Sequence, residues 1–480
     1  MRKTLFLLFS GYLWAQDPLS LRDAVRLAIR ENQAIAGTAA GVEASRARIT
    51  EARSGRLPKV NYSESFARSD NPVFVFSSLL AQHQFGAEDF NIGPLNRPDF
   101  LNDFQSQVTV DQMLYDAGQT RNAVKSAQLA SKLTAEEQRR VEMEVISGVA
   151  RAYYGVALDA ESLKTAEQAV LSAEADLKRA ESVHAAGMST DVDVLSIRVH
   201  LAAVQEQRIT RAADLDVAKA ALNDALGLPL DTLHRLTTGL TPLAPAGSLL
   251  AGLERAASTD RPETREMRLA KDLAQAQVDA ARGALLPQVS FRAGFEADRQ
   301  RFVTRGGANW MASVSLRWNL FNGFADQARI AGNNHLLRRA ESDAQRTDSA
   351  VRLQVRRSSA GLQAAVERIG VAKAAVAEAE ESLRIVQNRY EAGMANVTEL
   401  LRNETALLES RTRLLAAVHD QRVAATMLEY AAGRLSADSE VRTNEAARPF
   451  SPRPGVLAVC GAAAPSRSRL SATPHSEPRP

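Results

Sequence analysis

Residues 181–195 read ESVHAAGMSTDVDVL, and residues 387–401 read QNRYEAGMANVTELL, so one pattern returns after 206 positions. The tripeptide LYD at residues 114–116 returns as LFN at residues 320–322 with the same offset of 206. Two separate matches at one spacing indicate an internal duplication, because chance similarity would not keep a common offset. The sequence therefore predicts two copies of one structural unit.

A very long segment precedes each copy of this pattern. In the first copy, residues 118–184 contain no proline, and apolar residues recur alternately every three and four positions with few interruptions. A sustained 3.5-residue period predicts long helices that supercoil around one another with a left-handed twist. Gly187 and Gly393 follow these segments, and glycine accepts the left-handed conformation that ends many helices. We therefore expect two antiparallel helical hairpins that turn at these glycines.

Short segments with alternating apolar and polar residues predict β-strands in both copies. The alternation is clearest at residues 289–298 and 310–320, and it is weaker at residues 60–68 and 107–115, where Glu64 falls on the otherwise apolar face. Strands of ~9–11 residues with one apolar and one polar face are typical of transmembrane β-strands.

Two tryptophans lie near the two ends of one apolar strand face. Trp310 and Trp318 are separated by about 20 Å along the membrane normal, at ~3.4 Å per residue and a tilt of ~40°. This separation is close to the height of the apolar band of an outer-membrane barrel, which carries aromatic girdles at both edges. A soluble β-sandwich strand with two core tryptophans is the alternative interpretation.

Four strands per chain cannot close a barrel, since ~8 is the smallest number that membrane barrels use. Open strand edges are not tolerated in hydrocarbon, because each unpaired backbone group there costs several kcal/mol. Strands in a membrane therefore require several chains to share one barrel, with eight strands from two chains or twelve from three. The number of long helices needed to surround a wide cavity favours three chains.

The composition excludes several other classes of protein. Of the 480 residues, 45% are hydrophobic but only 5% are aromatic, which favours alanine-rich helical seams over compact globular cores. A single cysteine excludes a disulfide framework and a cysteine-based metal site. The net charge of +3 arises at the chain ends, since residues 1–15 and 436–480 each carry a net charge of +2. Nucleic-acid binding is therefore not expected.

Residue patterns that carry enzymatic chemistry are not found in the sequence. The seven histidines form no pair four residues apart that suits a metal, and there is neither a P-loop nor a G-x-S-x-G elbow. His184 and His200, on either side of the first glycine turn, are interpreted as solvated surface residues. We expect no catalytic site, no cofactor and no metal.

Several local motifs are similar to those of the TolC-type outer membrane efflux protein family, also called outer membrane factors. The less specific motifs are LSLRDA at residues 19–24 with Asn32, RLP at 56–58, LLP at 285–287, RPE at 261–263, and the strand exits at 114–118 and 320–323. The most specific motif is G-x-x-T-x-x-D-V-L, which residues 187–195 match in full. The resemblance extends over nearly all of residues 19–433.

The resemblance implies a mixed α and β membrane protein that forms a homotrimer. Its twelve-stranded β-barrel would lie in the lipid of the outer membrane, and a long helical tunnel would cross the periplasm. The tip of the tunnel would dock to a periplasmic adaptor (membrane fusion) protein and an inner-membrane transporter, in a tripartite efflux or type I secretion system. A soluble periplasmic coiled-coil adaptor or scaffold is the alternative hypothesis.

In this family, acidic side chains near the second helix of each hairpin narrow the tunnel at its tip. By position these side chains correspond to Asp193 and Glu399, and a tyrosine that helps to hold the tip shut corresponds to Tyr390. The spacings Thr190-x-x-Asp193 and Asn396-x-x-Glu399 are also those of helix N-caps. The sequence leaves open whether the two acids cap helices, line the pore, or do both.

The duplication and the resemblance together predict the domain organisation. The segments are a signal peptide (1–15), a first repeat (16–226), an equatorial linker region (227–260), a second repeat (261–435) and a disordered tail (436–480). The signal peptide is indicated by a basic start, an apolar run and a small residue at Ala15, so export is expected. The long first hairpin loop, residues 69–105, contains the apolar run VFVF and is expected to pack on the barrel or to cover its mouth.

Overall fold

The computed structural model describes residues 17–244, 249–303 and 306–439. The predicted signal peptide lies outside these residues, and so does the predicted tail from residue 440 onward. The last described stretch lies against the first helix, since the Asp438 carboxylate is 2.8 Å from the Arg22 guanidinium.

The helices and strands follow the same order in the two repeats. The first series is β1 (Asp17–Leu19), α1 (Leu21–Glu31), α2 (Gln33–Arg53), β2 (Lys59–Ser69), α3 (Pro72–Ala81), α4 (Ile92–Asn96), β3 (Leu101–Tyr115), α5 (Gln119–Ala185) and α6 (Asp191–Leu226). The second series is β4 (His234–Leu236), α7 (Leu250–Asp260), α8 (Pro262–Gly283), β5 (Gln288–Arg299), β6 (Gly307–Arg317), α9 (Ala325–Glu391) and α10 (Val397–Ala431). Each repeat thus runs from helices through two strands into two long helices, as the duplication predicts.

The longest helices, α5 and α9, have 67 residues each. At ~1.5 Å per residue, such a helix extends for about 100 Å. Both are followed by glycines in the left-handed conformation, Gly187 with φ +75° and Gly393 with φ +72°. The chain then returns along α6 and α10, so the two predicted hairpins and their turns are confirmed. The α10 helix also packs against α5, which joins the hairpins side by side.

Within the described ranges, no helix combines the length and the apolar character needed to span a membrane.

One antiparallel sheet joins the strands of both repeats in the order β2-β3-β5-β6. Its pairing places apolar side chains in rows across one face, and one row consists of Tyr62, Val108, Phe295 and Trp310. All four side chains are exposed, and Trp310 is 82% exposed. The next row along the strands points to the opposite face of the sheet, and its side chains are polar. It consists of Ser63, Gln107, Glu296 and Asn309. The predicted division into an apolar and a polar face is therefore confirmed.

Two strands, β3 and β6, differ from the prediction by more than one residue at an end. The β3 strand begins at Leu101, six residues before the expected start, because its first half pairs with β2 up to the partners Leu101 and Ser69. The β6 strand ends at Arg317 instead of residue 320, and its last partner is Gln288. Proline at position 287 has no N–H with which to continue the ladder.

The largest hydrophobic core lies near the middle of the helices. Tyr153 and Tyr154 of α5 are almost completely buried there against Leu21 of α1 and Leu226 of α6. The Tyr153 hydroxyl donates to the Leu19 carbonyl at 2.9 Å, and β1 pairs with β4 in parallel. This core fixes the first helix, the short two-stranded sheet and the first hairpin to one another.

The long first loop packs on the sheet from its polar face. Helix α3 contains the predicted apolar run and ends beside β6, where the Asn309 amide donates to the Ala81 carbonyl at 3.1 Å. The buried Gln82 amide donates to the Asp103 carboxylate at 2.8 Å. The loop therefore lies on the polar face at the end of the strands farthest from the long helices, a position that agrees with both expected arrangements.

Candidate functional site at the tip of the helical hairpins

The first turn joins α5 to α6 through a reciprocal helix cap. The Asp193 N–H donates to the Thr190 hydroxyl oxygen at 3.3 Å, and the Thr190 N–H donates to the Asp193 carboxylate at 3.1 Å. The Thr190 N–H and hydroxyl both donate to this carboxylate and hold the pKa of the Asp193 carboxyl below its usual range. The Asp193 side chain is therefore an ionised cap, which is one of the two roles that the sequence left open.

The second turn joins α9 to α10 in a different way. Asn396 caps α10 by accepting the Glu399 N–H at 2.8 Å. The Glu399 carboxylate lies 3.6 Å from the Arg389 guanidinium, and its side chain is 40% exposed. The two acids at corresponding positions thus have different partners, because the first is used in a cap and the second faces an arginine.

A small apolar cluster holds the two turns together. Its buried members are Ala180, Val194, Ile197 and Val397, contributed by α5, α6 and α10. Tyr390 of α9 packs against the same cluster. Burial raises the pKa of the Tyr390 hydroxyl, and the nearby negative charges of Asp193 and Asp176 raise it further. Tyr390 is therefore placed between the hairpins as a neutral phenol.

Just beyond this cluster, a series of charged side chains connects all four long helices. Arg179 of α5 lies 3.1 Å from Glu391 of α9 and 3.5 Å from Asp176 of its own helix. Asp176 adjoins Glu404 of α10, and the charge of that carboxylate adds to burial in raising the pKa of Asp176. Glu404 in turn lies 3.3 Å from Nε2 of His200 on α6. No sequence motif marks this series, and the interpretation of His200 as a solvated residue is wrong, since only 16% of that side chain is exposed.

The two predicted girdle residues lie at different places relative to the sheet. Trp310 is within β6, in register with Phe295. Trp318 follows the end of β6, and its indole N–H donates to the Leu285 carbonyl at 3.0 Å. Both side chains are exposed on the isolated chain, so each is free to contact a surrounding medium.

Across the described part of the chain, histidine, cysteine, aspartate and glutamate side chains form no group of three or more that is arranged to hold a metal ion.

The sequence model of the family described as "Outer membrane efflux protein" matches residues 24–228 and 254–434. These two ranges cover the greater part of the chain and correspond to the two repeats.

Relatives of similar length support this assignment. Protein CyaE of Bordetella pertussis is 28% identical over 87% of this chain and 85% of its own. Outer membrane efflux protein BepC of Brucella suis is 26% identical over 84% of this chain and 88% of its own. The solved structure of the Campylobacter jejuni CmeC outer membrane channel shares the fold, with a TM-score of 0.74, 15% identity and 88% coverage of both chains.

Channels of this family are homotrimers that function with efflux pumps. Membership of the family excludes the alternative hypothesis of a soluble periplasmic scaffold and the possibility of an enzyme. From its two matched repeats and its shared fold, the chain belongs to the outer membrane efflux protein (TolC) family and is an outer-membrane channel of tripartite efflux or type I secretion systems, with a helical tunnel in the periplasm.

Proposed function

We propose that three copies of this chain form one export channel that takes its cargo from an inner-membrane transporter through a periplasmic adaptor protein. The observation that carries the proposal is the four-stranded sheet, whose outer strands β2 and β6 have no second neighbour among the described residues. An apolar sheet face with two open edges is not tolerated in a bilayer. Pairing of β6 with β2 of the next copy removes every open edge once the ring closes.

In this assembly the apolar face of the sheet contacts lipid, and the polar face lines the channel. Trp310 and Trp318 are proposed to lie at the two edges of the hydrocarbon layer, where the amphipathic indole ring is favoured. The side chains that alternate with the apolar row are mostly polar, with hydroxyls and amides such as Ser63, Gln107 and Asn309 alongside several charged groups. Such a lining suits hydrated cargo.

The tip of the helical hairpins is proposed to be the narrow end of the channel. Asp193 and Glu399 would each contribute three carboxylates around a threefold axis, and Tyr390 would hold the hairpins together beside them. The Asp193 cap does not conflict with this role, because a capping carboxylate accepts hydrogen bonds and keeps its negative charge.

Docking of the adaptor is proposed to occur at the same tip, which is the part of the chain farthest from the sheet. The turn residues Gly187, Thr190, Gly393 and Asn396 fix the shape of this end through two left-handed glycines and two helix caps. An adaptor that moves one hairpin relative to the other would change the width of the opening.

The proposal is tested by purifying the full chain from outer membranes and measuring its mass and its ion conductance in planar bilayers. We expect a trimer that conducts. Recovery as a soluble monomer after osmotic shock would contradict the assembly, and a trimer without conductance would contradict the channel. Cross-linking to co-expressed adaptor through cysteines placed at the turns, compared with cysteines placed near the sheet, tests the docking site.

A further inference from the structure

We propose that Asp176 and Glu404 share one proton that holds the second hairpin against the first, and that loss of this proton to water as the pH rises to neutrality releases the hairpin and opens the tip. The inference rests on the proposed role of the tip as the narrow end of the channel. We call these two residues the carboxyl pair.

The position of the carboxyl pair favours a shared proton. Asp176 is 5% exposed, the Glu404 side chain is 9% exposed, and both carboxylate oxygens of Glu404 are buried without a hydrogen-bond partner among the described residues. Two ionised carboxylates have no proton to donate to each other, whereas a proton held between them supplies the hydrogen bond that the buried Glu404 oxygens lack. Two like charges buried side by side would also repel in a medium of low dielectric constant.

The pair also lies where the hairpins meet. Asp176 belongs to α5 of the first hairpin, and Glu404 belongs to α10 of the second. The remaining ionisable groups around the pair are Arg179 on α5, His200 on α6, Tyr390 and Glu391 on α9, and Arg411 on α10. Arg179 is shared with Glu391, so it compensates only part of the charge that a second ionised carboxylate would add.

The direction of the pH effect follows from the shifts in the closed state. Burial, together with the adjoining Glu404, raises the pKa of Asp176 to about 7. When the hairpins separate, water returns to the carboxyl and its pKa falls back toward the usual value of about 3.9. Between these values the closed state binds more protons than the open state, so closure weakens as the pH rises.

The other groups of the cluster do not reverse this direction. Although burial opposes it, the pKa of Glu404 is lowered by the adjoining His200 and Asp176. That shift acts only at pH values below the usual pKa of a glutamate, which are more acidic than those at which Asp176 titrates in the closed state.

There is space for water on the Glu404 side of the pair. A cavity of about 70 Å³ is bounded in part by His200, Glu404 and Arg411. This volume has room for about two water molecules. On opening, the O–H bond of the protonated carboxyl breaks and its proton passes to water, which leaves two carboxylates between the hairpins.

The second repeat offers an internal comparison. Ser382 occupies the position that corresponds to Asp176 after the offset of 206. Its hydroxyl donates to the side-chain amide oxygen (Oδ1) of Asn403 at 2.7 Å, which is a neutral contact within the second hairpin. A hydrogen bond without a titrating group is therefore sufficient for helix packing at this height, and the carboxyl pair is not required by the fold.

The experiment measures the open probability of the purified trimer in planar bilayers from pH 5 to 8. One proton per chain changes the ratio of open to closed hairpins by at most about tenfold per pH unit. With three chains that open together, we expect the ratio of open to closed channels to rise by up to about 1000-fold between pH 6 and 7 and to level off above pH 7. Asp176→Asn should remain closed across the range, because its amide still donates to Glu404 but cannot titrate. Ser382→Ala, the matched control in the other repeat, should keep the response of the unmodified chain.

Infrared spectroscopy supplies a readout that does not depend on opening. The stretching band of protonated carboxylic acids should lose intensity between pH 6 and pH 8, and the loss should be smaller by one acid group per chain in Asp176→Asn. Glu404→Gln serves the same purpose if Asp176→Asn does not assemble. An unmodified chain with no pH response, a pH response that survives in these variants, or the absence of this difference in the acid band would each overturn the proposal.

A separate experiment tests the proposed constriction formed by Asp193 and Glu399. Replacement of Asp193 and Glu399 by alanine should change block by multivalent cations and leave the pH response intact, so a failure of either proposal is recognised separately.

Discussion

Replacement of Ile197 by alanine tests whether the cluster between the turns holds the tip closed. Ile197 is fully buried and packs with Ala180, Val194 and Val397. The change removes three carbon atoms, which at ~0.8 kcal/mol each costs about 2.4 kcal/mol of burial. The cavity left behind brings the cost to about 3 kcal/mol per chain.

Only part of this cost acts on the contact between the hairpins. Of the six other residues in or packed against the cluster, three belong to the second hairpin: Tyr390, Val397 and Leu401. About half of the cost, or about 1.5 kcal/mol per chain, therefore weakens closure. If the three chains open together, about 4.5 kcal/mol shifts the ratio of open to closed channels by about 1000-fold, at ~1.4 kcal/mol per factor of ten.

The assay is the open probability of single channels in planar bilayers at fixed pH. Leu222→Ala is the control, since Leu222 is also almost fully buried but lies in the core near the middle of the helices. We expect Ile197→Ala to open the channel far more often than Leu222→Ala does, although both lower the melting temperature. Equal open probabilities in the two variants would refute the assignment of the cluster to closure.

Three further outcomes are expected from other parts of the chain. In a Trp318→Phe background, the fluorescence of Trp310 should be quenched more by lipids brominated near the headgroups than by lipids brominated at the chain ends. This order is expected because a girdle residue lies at the edge of the hydrocarbon layer, and the reverse order would contradict that position. Gly227→Ala should lower the melting temperature of the trimer, because φ is +78° there and the new Cβ would lie 2.8 Å from the Glu31 carbonyl oxygen. The left-handed conformation alone costs a residue with a Cβ about 1–2 kcal/mol. An unchanged melting temperature would show that the segment relaxes. Tyr153→Phe should cost about 1–3 kcal/mol, because a buried carbonyl of β1 loses its donor at 2.9 Å; the conductance of this variant should be unchanged, and a change in conductance would give the core a role in gating.

The long helices could be predicted because their determinants are local. The 3.5-residue period of each long helix and the glycine that follows it lie within one continuous stretch of sequence. The observed turns occur at these glycines, Gly187 and Gly393. Helix caps at Thr190 and Asn396 were also recognisable, since their partners are three residues away. What the sequence left open was the choice between capping and lining, which depends on side-chain direction.

The position of Glu64 on the apolar strand face is explained by contacts with residues that are distant in the sequence. Its carboxylate lies 2.9 Å from the guanidinium of Arg299, which belongs to the other repeat, and it also accepts the Tyr62 hydroxyl at 2.7 Å. Ser106 on the strand between them donates to the same carboxylate. A charged residue in an apolar pattern is thus matched across three strands, which periodicity within one strand does not reveal.

The carboxyl pair was not predictable for the same reason. Asp176 and Glu404 lie on helices of different repeats, and a heptad pattern indicates that a position faces inward without identifying its partner. His200 was assigned to the surface because it follows the turn closely. Its burial arises from packing of α10 against the first hairpin, which is a tertiary contact.

The central claim is that three copies of this chain form one pore across the outer membrane that narrows at the tip of the helical hairpins. The most direct test is single-channel conductance with a trivalent cation, hexaamminecobalt(III), added to one side of the bilayer at a time. We predict block from the side of the tip, and higher conductance or weaker block after Asp193→Ala is combined with Glu399→Ala. The absence of conductance, or block that is equal from both sides and unchanged in the double variant, would contradict the account.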